Sequence, residues 1–178
     1  MLVLDCETTG LDGYKNQLTC ACFFDSDNNT QHSFVFDQPP HSEDSLRKQA
    51  TITCMLDEAT QLSGFNACKF DLPFLAKNWK LSDTHLVEWL LKTVDIYEAS
   101  RLALKITFPL NALLAANGLE SKSGSGLEAI RLAHDKKWDE LANYCMQDVI
   151  LTHEVTTLTV VNLPTTSLKW SIQKSFFH

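Results

Sequence analysis

Leu2-Val3-Leu4-Asp5-Cys6-Glu7-Thr8-Thr9-Gly10 decides how the chain is read. A short apolar, strand-forming run ends on two acids spaced i and i+2, and that spacing puts both on one face of a strand. Carboxylates this close repel and raise each other's pKa unless a cation sits between them. Oxygen-rich clusters of this kind suit Mg²⁺ or Mn²⁺. A merely solvated strand end could carry the same Asp-x-Glu, so its meaning depends on the rest of the chain.

Working outward, Leu18–Phe24 (LTCACFF) and Gln31–Phe36 (QHSFVF) are rich in β-formers, and Asp25-Ser26-Asp27-Asn28-Asn29 between them is a turn signal. Short connections make these three strands an antiparallel meander. Pro39-Pro40 breaks the pattern. Ser42 is a helix N-cap, with Glu43 and Asp44 in the first turn, for a helix running to about residue 62. Gly64-Phe65-Asn66 reads as a short strand, Asp71–Trp79 as a helix with Pro73 in its first turn, and Thr93–Ile96 as a fifth strand. Helices are expected over 96–104, 110–117 (stopped by Asn117-Gly118), 127–135 and 138–160. Strands first, then βα alternation, then helices predict an α/β fold with a mixed sheet covered by helices. Glu120–Gly126 is the most flexible composition but too short for a domain linker. Residues 1–161 are read as one domain and 162–178 as a tail, docked through Trp170 and Phe176-Phe177 or frayed.

The 178 residues carry 15 Lys plus Arg and 22 Asp plus Glu, a formal charge of -7. That excludes a basic coat for duplex DNA but not a nucleic-acid substrate met by a local basic strip or by bound cations. No apolar run approaches the roughly 18 residues of a membrane span, and the N-terminus lacks the basic segment of a signal peptide. The six cysteines contain no Cys-x-x-Cys pair, which disfavours structural zinc. They read as reduced thiols of an intracellular, cytoplasmic or nuclear chain.

Two further loci bear on the acids. Phe65-Asn66-Ala67-Cys68-Lys69-Phe70-Asp71-Leu72-Pro73-Phe74-Leu75 sets Asn66 and Asp71 among apolar residues, with helix capping as the alternative role for Asp71. Tyr144-Cys145-Met146-Gln147-Asp148 lies on the longest helix, where Tyr144 and Asp148 are four apart and share a face. Leu141, Cys145 and Val149 flank that face, which would point Asp148 toward the sheet, with an ordinary surface aspartate as the alternative role.

LDCETTG, FNACKFDLPFL and YCMQD, in this order, resemble the three motifs of the DEDD superfamily of 3′–5′ exonucleases, which have a ribonuclease H-like fold. The second is especially similar to the proofreading domain of family-B DNA polymerases and its stand-alone relatives. The resemblance spans about residues 2 to 155. It implies a ribonuclease H-like, five-stranded mixed sheet, a three-stranded antiparallel meander plus two parallel strands. The four acidic positions fall on Asp5, Glu7, Asp71 and Asp148. Tyr144, with Asn143 where the histidine subgroup carries its His, points to the tyrosine (DEDDy) subgroup; His134 lies too far upstream for that role.

By this resemblance two divalent ions, Mg²⁺ or Mn²⁺, about 3.5–4 Å apart clamp the scissile phosphate. Asp5 bridges them, Glu7 and Asp148 hold the first, and Asp71 holds the second partly through water. Tyr144 orients the attacking water, since a phenol's ordinary pKa near 10 makes it a poor base at neutral pH. The expected activity is stepwise release of nucleoside 5′-monophosphates from single-stranded 3′ ends, DNA favoured over RNA. Thr8, Thr9 and Leu11 follow the first motif and are expected to meet the terminal nucleotide. Asn66 and Phe70 are expected to line the same cleft, with a core position as the alternative for Phe70, and Lys122 is the foremost of the candidate lysines (Lys69, Lys105, Lys122 and the Lys136-Lys137 pair) for supplying charge. The competing readings are a ribonuclease H-like endonuclease or resolvase, and a catalytically silent nucleic-acid-binding scaffold. A replication or repair partner is conceivable, but no residue pattern identifies one.

Overall fold

A computed structural model describes residues 1–121, 126–164 and 169–171. The chain forms β1 (Leu2–Thr8), β2 (Leu18–Asp25), β3 (Thr30–Val35), α1 (Glu43–Glu58), β4 (Leu62–Ser63), α2 (Asp71–Asn78), α3 (Asp83–Leu91) and β5 (Thr93–Val94). There follow α4 (Ile96–Leu104), α5 (Leu110–Ala116), α6 (Gly126–His134), α7 (Trp138–Thr157), β6 (Val160–Asn162) and β7 (Lys169–Ser171). The main sheet has the order β3-β2-β1-β4-β5. Its first two pairings are antiparallel and its last two parallel, which is the expected mixed sheet.

β1 sits at the centre, buried on both faces, and its alternation sorts the core. Leu2, Leu4 and Cys6 join Ile52 and Leu56 of α1, Leu72 and Leu75 of α2, and Trp89 of α3. Val3 joins Cys20, Cys22 and Phe24 of β2 with Leu132 of α6 and Leu141, Cys145 and Val149 of α7. β2 lacks polar alternation for the same reason: it is covered on both sides. A third cluster ties α4 and α5 to the end of α7 and to β6.

Several boundaries differ from expectation. α1 stops at Glu58 because Gln61 and Leu62 are drawn into the sheet, where the Gln61 carbonyl accepts the Leu2 N–H. β4 is Leu62–Ser63, not residues 64–66. A Cβ on Gly64 would lie 2.5 Å from the Ala67 Cβ and 3.0 Å from the Leu4 carbonyl, so the chain turns away there. Asn66 completes the turn at φ 65°. α3 is unforeseen: Ser82 caps it, and it buries only Trp89, whose indole N–H donates to Asp57 at 2.7 Å. α7 ends at Thr157, and β6 pairs with β7 as a separate antiparallel ribbon. Phe176 and Phe177 of the tail lie outside the described residues. No described helix is long and apolar enough to cross a membrane.

Candidate active site

The end of β1 carries Asp5 and Glu7, both half-buried, on the face that looks toward α7. A bulge lies beside them. Glu7 pairs with Cys20 and Thr8 with Leu18, so Thr19 is the extra residue, and its hydroxyl donates to the Glu7 carbonyl at 2.8 Å. Bulges of this kind bend a strand and re-aim its side chains.

α7 supplies the opposing wall. Its buried residues include Leu141, Tyr144, Cys145, Asp148, Val149, Thr152 and Val155. That is one helical stripe with period near 3.6, and a tyrosine and an aspartate sit inside it. Asp148 is 7% exposed. The Cys145 thiol donates to the Asp5 carbonyl at 3.3 Å and lies 3.6 Å from its carboxylate, fixing α7 against β1 at the acid pair. Asp5, Glu7 and Asp148 each bring a carboxylate oxygen within 4.8 Å of the others. Three carboxylates at that separation form a hard-oxygen donor set suited to a divalent cation.

Asp71 arrives from the other side of β1. It is the first residue of α2, not its cap; Phe70 holds the cap position and makes no side-chain cap bond. β4 pairs only with Leu2 and Val3, so the strand edge beyond them is open. The Asp71 carboxylate fills it by accepting the Cys6 N–H at 2.8 Å. Burial pushes the Asp71 carboxyl up to about 7, against the Cys6 N–H, which favours the anion; the neighbouring Asp95 adds to the rise. A cation bound nearby would draw it back down.

Asp95 reads in the sequence only as part of the fifth strand, and the structure gives it a larger place. It is 6% exposed, and its carboxylate accepts three backbone N–H groups: Asn66 at 3.1 Å, Cys68 at 3.0 Å and Glu98 at 3.1 Å. It therefore caps α4 and pins the turn that delivers Asp71. The sequence signal for this is Asp95-x-x-Glu98, a capping-box spacing at a strand end.

The expected substrate residues divide. Leu11 is 85% exposed, and Thr9 is exposed on the same loop. Thr8 is mostly buried, with its hydroxyl donating to the Gly10 carbonyl. Phe70 is half-buried and packs against Phe74 with ring centroids 5.7 Å apart, so it belongs partly to the core. The buried Asn66 Oδ1 accepts no hydrogen bond from a described residue. Lys122 lies outside the described residues. His134 is exposed beside Asp135, consistent with a surface role.

The profile of the RNase_H superfamily matches residues 2–160. The chain belongs to the RNase_H superfamily. Among solved structures it is similar to the family B DNA polymerase of the hyperthermophilic archaeon Pyrobaculum calidifontis, with a TM-score of 0.64 and 16% identity over 85% of this chain. It is also similar to exonuclease I, with a TM-score of 0.56 and 17% identity over 87% of this chain. The aligned region spans 23% of the polymerase and 39% of exonuclease I, so this RNase_H superfamily chain corresponds to a part of each. At such identities the likeness carries the fold. No curated protein matches the chain.

Proposed function

We propose that the protein is a metal-dependent 3′–5′ exonuclease of the DEDDy type, acting on single-stranded 3′ ends, with DNA favoured over RNA. The observation that carries this is the convergence of Asp5, Glu7 and Asp148 within 4.8 Å on an RNase_H superfamily sheet. Asp71 stands one backbone hydrogen bond away from them. The structural likeness to exonuclease I agrees with it. Residues 1–161 are the proposed nuclease unit and 162–178 its tail.

Asp5, Glu7, Asp148 and Asp71 are the side chains that would hold two divalent ions, Mg²⁺ or Mn²⁺. Bound there, such ions supply charge neutralisation at the phosphate and water acidified for attack. Asp5 clusters with Glu7 and Asp148 and directly precedes Cys6, whose N–H Asp71 accepts. Tyr144, one turn before Asp148 on the same buried stripe, orients the attacking water through its hydroxyl. Leu11 and Thr9 meet the terminal nucleotide, and Asn66 contributes its buried Oδ1 to the nucleotide once the side chain turns outward. The product is a nucleoside 5′-monophosphate.

The test is 5′-labelled single-stranded DNA and RNA of matched sequence, with Mg²⁺, Mn²⁺ or EDTA, beside Asp5→Ala. A ladder shortening from the 3′ end is expected, abolished by EDTA and reduced at least ~1,000-fold in the variant. Internal cuts would favour an endonuclease or resolvase. Binding without cleavage under either metal would favour a silent scaffold.

A further inference from the structure

The loop from Thr9 to Gln17 leaves β1 two residues beyond Glu7 and is held more tightly than its position would require. Thr9 and Gln17 close its base, with the Thr9 N–H donating to the Gln17 carbonyl and the Gln17 N–H to the Thr9 hydroxyl, both at 2.9 Å. Asp12 Oδ1 accepts the Tyr14 N–H at 2.9 Å, and Asn16 Oδ1 accepts the Asp12 N–H at 3.0 Å. The Asn78 amide of α2 donates to the carbonyls of Gly13 and Asn16 at 3.1 and 3.0 Å. Gly13 lies so close to α2 that a Cβ there would stand 3.0 Å from both Lys77 Cβ and the Phe74 carbonyl.

This fixed loop holds a large aromatic ring in solvent. Tyr14 is 75% exposed, beside Leu11 at 85%. Lys77 places its Nζ 5.9 Å from the Tyr14 ring centroid, and Lys15 follows the ring in sequence with its side chain 82% exposed. Asp12, the acid of the loop, is occupied by the Tyr14 N–H and by Lys15 at 3.4 Å. Single exposed apolar residues are ordinary. An exposed aromatic ring on a tightly held loop, with one cation near its face and a second in the next residue, is the combination that holds single-stranded nucleic acid: a π-face for the base and positive charge for the backbone.

We propose that Tyr14 is the stacking platform for an internal base of the substrate strand, upstream of the 3′-terminal nucleotide that Leu11 meets, with Lys77 and Lys15 attracting the flanking phosphates. This rests on the exonuclease reading above. The loop then grips the strand as it is fed to the acids and takes no part in the chemistry at the terminal phosphodiester. A strand with no second base gains nothing from Tyr14.

Two substrates separate grip from chemistry. One is a single-stranded 12-mer; the other is the 4-nitrophenyl ester of thymidine 5′-monophosphate, which has one nucleotide only. Tyr14→Ala should raise KM for the 12-mer about tenfold, while KM for the ester shifts less than twofold; Tyr14→Trp should restore the 12-mer value. In EDTA, where cleavage stops, 2-aminopurine at the second to fourth nucleotide from the 3′ end should be quenched by the wild-type protein and not by Tyr14→Ala. Lys77→Ala should flatten the salt dependence of 12-mer binding. An unaltered KM for the 12-mer, or an equal loss on both substrates, overturns the platform. Failure of the wild-type protein to cleave either substrate sinks the exonuclease reading, and the quenching experiment still decides the platform by itself.

Discussion

Replacing Asp95 with alanine removes the acceptor of three partly buried backbone donors, the N–H groups of Asn66, Cys68 and Glu98. A buried donor left without a partner costs about 1–3 kcal/mol. The Glu98 N–H opens onto a helix N-terminus, where losing a cap costs about 1 kcal/mol. The other two lie in the turn between β4 and α2. Against this, the Asp95 carboxyl is itself raised above its ordinary value, first by burial, so removing it recovers part of that cost. The net expectation is a loss of ~2–4 kcal/mol, a large share of the ~5–15 kcal/mol that holds a domain together. Asp95→Asn keeps one carbonyl oxygen but sets an NH₂ group where a second acceptor was, and should lose ~1–2 kcal/mol. Urea unfolding in EDTA at pH 7 reads both; with a slope near ~2 kcal/mol/M, the alanine variant's midpoint should fall by about 1–2 M. Because the turn delivers Asp71, cleavage by the folded alanine variant should also drop about tenfold or more. A midpoint within ~0.25 M of wild type, or an asparagine variant as damaged as the alanine one, would refute the clamp.

Asp71→Asn should abolish cleavage yet stabilise the metal-free protein at high pH. The Asp71 carboxyl, ordinarily at 3.8, is raised to about 7, so its neutral form favours folding fully below pH ~4 and that contribution is lost as pH rises through about 7. Melting in EDTA should therefore show the variant ahead at pH 8, by a margin on the order of 4 kcal/mol, and level near pH 4; a wild-type protein at least as stable at pH 8 would contradict this. Gly64→Ala forces a Cβ to 2.5 Å from Ala67 and 3.0 Å from the Leu4 carbonyl, and should lower stability by ~1–3 kcal/mol in the same urea assay. The thiols offer a separate check by titration with a small disulfide reagent. The exposed Cys54 should react at once and the half-buried Cys68 slowly, while Cys6, Cys20, Cys22 and Cys145 react only on unfolding. Early modification of Cys145 would mean that α7 does not seal the acid pair.

What was legible in the sequence was whatever a repeat of two or near 3.6 could carry. Asp5 and Glu7 share a face because strands alternate, and Tyr144 and Asp148 share one because helices return every fourth residue. The meander was legible because β2 is apolar throughout and its turn to β3 is rich in Asp and Asn. α3 was not, because Val87 and Leu91 face solvent and blur the inner stripe of Leu86, Trp89 and Leu90 on a helix of nine residues. β4 was displaced by two residues because its limit is a close approach to Leu4, and no local pattern records a contact 60 residues away.

Asp71 and Asp95 show the same division within the site. Both satisfy a local rule, an acid at a helix start, and the rule explains each of them without any chemistry. Asp95 does cap its helix, but it also binds a turn nearly 30 residues upstream. Asp71 does not hold the cap position of its helix; its Oδ1 accepts the Cys6 N–H, 65 residues back, on the strand that carries Asp5 and Glu7. A carboxylate committed to its own helix would have no reason to be buried against that strand with its pKa driven up. The burial costs stability in the metal-free protein, and a bound cation is the agent that would repay it. On the proposed exonuclease reading, the acid held where folding alone disfavours it, beside three others that converge from a strand and a helix, is the one whose position a bound metal would explain.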